Sequence, residues 1–104
     1  MTHKNRFAYG AKKKAETQRC AWATLGKVTK ITYPVTIELW WFEPNAKRDI
    51  DNVAAGVKFI LDGLVASAKL PSDGRKYVRG LIHHFPPPDA LNARVEVQIH
   101  AFDK

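Results

Sequence analysis

The apolar residues of this chain change period partway along it, and that change constrains what its middle can fold into. From Tyr33 to Phe42 they alternate, with Tyr33, Val35, Ile37, Leu39 and Trp41 on one side and Thr36 and Glu38 on the other. That is the pattern of a strand with one buried face. From Asn52 to Ala66 they recur instead at helical spacing, as Val53, Val57, Ile60, Leu61 and Leu64, which predicts a helix with one face against the sheet. Trp40 and Phe42 interrupt the polarity of the strand's second face. That face is expected to be covered as well, by a helix or by a partner subunit.

The flanking segments extend the pattern. Ala11 to Leu25 predicts a first helix, with Ala11, Ala15, Trp22 and Leu25 on one stripe and Gly26 ending it. Glu43, Pro44 and Asn45 stop the first strand, and Ala46 to Ile50 form a charged connector. Leu70 to Gly74 is a turn, Tyr77 to Phe85 a strand, Pro86, Pro87 and Pro88 a stiff extended connection, and Arg94 to Phe102 a closing strand. With 104 residues, 45% of them hydrophobic, one small domain is expected. The order helix, strand, helix, strand, strand predicts an α/β (α+β) fold over residues 1–104: a mixed sheet of three or more strands with two main helices packed on it.

Charge is unevenly placed. The net charge is +7, and residues 1–30 carry all of the excess, as Lys4, Arg6, Lys12, Lys13, Lys14, Arg19, Lys27 and Lys30 against the single acid Glu16. A basic third of this kind suits a polyanion, and it equally suits a solvated, solubilising helix. No apolar run has the length of a signal-peptide core or a membrane span, so a cytoplasmic protein is expected. Cys20 is the only cysteine, which excludes an internal disulfide, and nothing beside it supplies the partner that a thiolate nucleophile needs. No Walker loop, dinucleotide fingerprint, HExxH or paired CxxC is present. His83, His84 and His100 are therefore read as surface or packing residues, and Trp40 and Trp41 as core or interface.

The densest polar cluster is Lys47, Arg48, Asp49, Ile50, Asp51 and Asn52, directly before the strongest helix. In an extended segment Asp49 and Asp51 project to the same side, so both can reach one hard cation, for which one or two carboxylates with water and phosphate suffice. On a helical wheel at about 100° per residue, Lys58 and Asp62 each fall about 20° from Asp51. Lys58 can there neutralise a scissile phosphate. Asp73 adds a third carboxylate from the following turn. Each part also has a structural explanation: Asp51 or Asn52 as the helix N-cap, Asp73 and Gly74 as an ordinary turn pair, Lys58 and Asp62 as an exposed ion pair.

Taken in order, Arg48, Asp49, Ile50, Asp51, Asn52, then Lys58, Asp62, Gly63, Leu64, and finally Ser72, Asp73, Gly74 resemble the signature of the RusA family of Holliday junction resolvases. The match runs from about Lys47 to Val78. The resemblance implies a magnesium-dependent endodeoxyribonuclease, with manganese as a substitute metal, in which Asp49, Asp51 and Asp73 are the metal-binding catalytic acids and Lys58 the essential lysine. It also implies a homodimer acting on four-way DNA junctions in recombination and repair, often encoded by phages, with no nucleotide cofactor and no membrane association. Phosphate contacts are expected from Lys12, Lys13, Lys14, Arg19, Lys47, Arg48, Arg75 and Lys76. The chain departs from the family in a helix about three residues longer before Lys58, in Ser72 where a first turn acid is usual, and in the lack of a readable strand before Asn5. A shortened variant is therefore expected. Other readings are a non-catalytic protein of the same fold that binds branched DNA and, last, an RNA-binding module.

Overall fold

A computed structural model describes residues 4–14 and 17–102. Ala15 and Glu16 and the side chains of Lys12, Lys13, Lys14 and Arg19 lie outside the described part, and with them half of the expected phosphate contacts. The elements are β1 (Lys4–Lys14), β2 (Thr17–Leu25), β3 (Val35–Phe42), α1 (Ile50–Ala54), α2 (Val57–Ala66), β4 (Val78–His84) and β5 (Arg94–Ala101). The strands form one five-stranded mixed sheet in the order β2-β1-β5-β3-β4. β3 and β4 run parallel, as strands joined through a helical crossover must. β5 inserts antiparallel between β1 and β3. The domain is α+β, its helical layer lies on one face, and no described helix is long and apolar enough to cross a membrane.

The helix predicted over Ala11–Leu25 is not formed. The segment belongs to the hairpin of β1 and β2, paired antiparallel from Arg6↔Leu25 to Lys14↔Thr17. The predicted stripe rested on alanines, which favour a helix intrinsically but bury little. The hairpin instead sets Tyr9 opposite Trp22, their rings 5.0 Å apart, and lets β1 bond to β5 along its other edge. Tertiary pairing outweighs local propensity here. The same result supplies a first strand, starting at Lys4, where none was expected.

The single helix predicted over Asn52–Ala66 forms as two pieces. α1 begins at Ile50 and ends at Ala54, and α2 starts at Val57. At the joint, Gly56 N–H bonds to the Val53 carbonyl at 3.1 Å, a tighter closure than the α-helical one. A Cβ on Gly56 would meet that carbonyl at 3.3 Å and the Trp41 ring at 3.4 Å. Glycine therefore lets the bend come down onto Trp41. Beyond it, Ile60, Leu61 and Leu64 bury against Ile37, Leu39, Val97 and Ile99 of the sheet, while Lys58 and Asp62 face solvent.

Candidate metal and DNA site

The site residues lie along the α1–α2 layer and the turn after it. Asp49 occupies the N-cap of α1 in an extended conformation (φ −71°, ψ 155°), and its carboxylate makes no capping hydrogen bond. Its backbone carbonyl accepts from Val53 N–H at 3.1 Å. The cap position is thus Asp49 rather than Asp51 or Asn52. Asp51 is already in the first helical turn, where an acid is favoured by the partial positive charge of the helix start. The expectation that Asp49 and Asp51 share one extended segment is corrected by that finding: only Asp49 is extended. Both are exposed, and neither carboxylate has a hydrogen-bonding or ionic partner among the described residues.

Lys58 is the best-defined polar group. Its Nζ stands 3.0 Å from Asp62 Oδ1, one turn along α2, and 2.9 Å from Asp73 Oδ2, which comes from the turn. The hydrogen bond to Asp73, then the one to Asp62, raises the lysine pKa above its ordinary value, and the lysine in turn holds the Asp73 carboxyl below the usual carboxylate range. The break at Gly56 means that the wheel angle between Asp51 and Lys58 is not that of one continuous helix. Ser72 Oγ accepts from Gly74 N–H at 3.1 Å, so Ser72 closes the turn that carries Asp73.

The structure thus gathers Lys58, Asp62 and Asp73, and leaves Asp49 and Asp51 at the start of α1. Among the described residues, no three His, Cys, Asp or Glu side chains converge closely enough to hold a metal ion, so the three-acid set implied by the resemblance is not assembled. The two exposed acids alone still fit magnesium, which is commonly held by one or two carboxylates with the remaining positions filled by water and phosphate. Of the other expected phosphate contacts, Lys47, Arg75 and Lys76 are exposed, whereas Arg48 is paired with Glu43 at 2.7 Å.

A second polar group escaped the sequence reading. On the sheet face away from the helices, the Glu38 carboxylate lies between His84 Nε2 at 2.7 Å and His100 Nε2 at 3.0 Å. His100 read as isolated, because only the placement of β5 beside β3, with Thr36 opposite His100, brings it to Glu38. His83 and His84 do face opposite sides, and His83 Nδ1 accepts from the Trp41 indole N–H at 2.9 Å. Comparison with protein-family models, with curated proteins and with solved structures finds no match to this chain.

Proposed function

We propose that the chain is a magnesium-dependent endodeoxyribonuclease of the cytoplasm that cuts branched DNA, with the four-way junction as substrate and a homodimer as the working unit. The observation that supports it is the placing of two exposed, side-chain-unpaired acids, Asp49 and Asp51, at the start of a helical layer whose next piece fixes Lys58 against Asp73. The R-D-x-D-N order around them supports it from the sequence. Magnesium, when bound, supplies charge neutralisation at the phosphodiester and a water of lowered pKa.

The chain's own residues do the rest. Asp49 and Asp51 would hold the cation, with Asp73 as a third acid where it is released from its ion pair with Lys58. Lys58, aimed by Asp62 once Asp73 is released, then meets the negative charge of the phosphate, the kind of preorganised stabilisation that enzymes use on phosphoryl oxygens. Lys47, Arg48, Arg75 and Lys76, with Lys12, Lys13, Lys14 and Arg19, hold the backbone through contacts that weaken with salt. Two sites related by a two-fold axis suit a junction with two equivalent strands.

The closed Lys58–Asp73 pair favours a second reading, a protein of the same fold that binds branched DNA without cutting it. Nicking of a labelled four-way junction beside a matched duplex, with and without magnesium, decides between them. Junction-confined, magnesium-dependent cutting that drops by about 100-fold or more in Asp51→Asn is expected, in line with the loss of one transition-state stabilising group. Tight junction binding without cutting under magnesium or manganese would leave the binding protein.

A further inference from the structure

We infer that the cleft between the start of α1 and the Phe85–Pro88 segment seats one unstacked nucleobase of the branch point, with Phe85 as its stacking ring. The inference rests on the branched-DNA reading and adds to it the feature of the substrate that is recognised. The cleft measures about 620 Å3 and is lined by the apolar Trp41, Phe85 and Pro86 and by the polar Glu43, Arg48 and Asp49, among others. That size lies within the range of about 300–1,000 Å3 typical of sites for small organic groups.

The two aromatic residues that line the cleft, Trp41 and Phe85, are bridged by a third ring, His83, set nearly parallel to both. The Trp41 and His83 rings lie 5.9 Å apart at 10°, and the His83 and Phe85 rings 6.3 Å apart at 11°. The Trp41 N–H to His83 Nδ1 bond locks the middle ring in plane. The terrace runs outward from Trp41, 5% exposed, to Phe85, 40% exposed, so its outermost ring is the one most open to solvent. Pro86 and the two prolines after it have no N–H to satisfy and little freedom to lose, which keeps the wall stiff.

A flat, polar-edged ring carrying a phosphate matches these surroundings better than a protein aromatic would. The ring extends the terrace, and the phosphate next to it meets Arg48, which lines the cleft and exchanges its partner Glu43, 2.7 Å away, for the incoming anion. Asp49 lines the same cleft, so a seated base sets the neighbouring phosphodiester close to a proposed metal-binding acid. Selectivity follows. In a continuous duplex a base must be unpaired and unstacked first, at a cost of about a few kcal/mol, whereas at a branch point the stack is already interrupted.

The test uses binding without divalent metal, so that cutting plays no part. Dissociation constants are measured for a four-way junction and a matched duplex, with wild type, Phe85→Ala and Phe85→Leu. Aromatic stacking on a base predicts junction binding about 5- to 100-fold weaker in both variants, with duplex binding unchanged. An abasic residue substituted at each branch-point nucleotide in turn should, at one position, weaken wild type by the same factor and the variants no further. Thermal melting of the leucine variant checks that the fold is kept. Equal loss on junction and duplex, no loss, or full abasic sensitivity in the variants overturns the base seat, and magnesium-dependent cutting retained in those variants leaves the nuclease reading standing. A wild type that neither prefers nor cuts the junction overturns both.

Discussion

The two faces of β3 are closed in different ways. Toward the helices, Val35, Ile37 and Leu39 are fully buried and Trp41 nearly so, beneath a separate layer of structure. On the other face no described helix lies over the strand, and neighbouring strands' side chains reach across instead. The Arg6 guanidinium sits 4.9 Å over the Trp40 ring, His84 stacks on Trp40 at 4.9 Å, Arg94 covers Phe42 at 3.9 Å, and Glu38 is held by His84 and His100. The first closure depends chiefly on area, with His83 against Trp41 as a titratable contact. The second depends on geometry and charge, as cross-strand pairs do, so the two should fail under different conditions.

The largest expected effect belongs to the helix face. Leu64 is fully buried against the sheet, and Leu64→Ala should cost about 2–5 kcal/mol, a large part of the about 5–15 kcal/mol that holds a domain together. Urea denaturation measures it. A loss below about 1 kcal/mol would mean that the helical layer is not what stabilises the sheet.

The same comparison explains what was legible in the sequence. The helix face was readable because alternation in Val35, Ile37, Leu39 and Trp41 and the 3.6 period in Ile60, Leu61 and Leu64 are local signals of one-sided burial. The covering of Trp40 was expected, but by a helix or a partner rather than by Arg6 and His84, since only the strand order makes those residues its neighbours. The first hairpin is not legible because Tyr9 finds Trp22 across thirteen residues of chain, and the break at Gly56 because the Trp41 ring it lies against comes from a distant strand. Within the site, the Lys58–Asp62 pair follows from i, i+4 spacing. The occupation of Lys58 by Asp73 does not, since it depends on how the turn folds back on α2.

A middle-sized effect should come from the open face. Glu38→Gln keeps the shape but removes the charge that accepts from two imidazoles, and a loss of about 1–2 kcal/mol at neutral pH is expected. Hydrogen bonding to His84, opposed by burial and reinforced by His100, holds the Glu38 carboxyl below its ordinary range. Its contribution is therefore present above the unfolded value of about 4.3 and is lost as pH falls through the lower folded value. His83 behaves differently. Burial, then the charge of His84, lowers its pKa, so its neutral form is favoured in the fold and stability declines as pH drops below about 6.5. Urea midpoints followed from pH 7 to pH 3 should show both declines in wild type, and a shallower lower one in Glu38→Gln, where the lowered Asp73 carboxyl still contributes. An unchanged lower decline would remove Glu38 as its source.

The smallest effect, and the sharpest test of the comparison, is at Arg6. It bonds Glu96 at 2.9 Å while lying over Trp40, so its removal takes away an ion pair and a cation–π contact together. Yet Glu96 keeps a second partner, Arg94 Nε at 2.8 Å, and is not left as an unpaired charge. Arg6 itself is largely solvated, its side chain 42% exposed, so the attraction it offers is screened. Arg6→Ala should then cost no more than about 1 kcal/mol, and less at about 1 M salt, where the Debye length falls to about 3 Å. A loss above about 2 kcal/mol that persists in high salt would show that Trp40 is buried as a core residue is. The open face would then be held by area like its opposite, and the contrast between the two faces of β3 would fall.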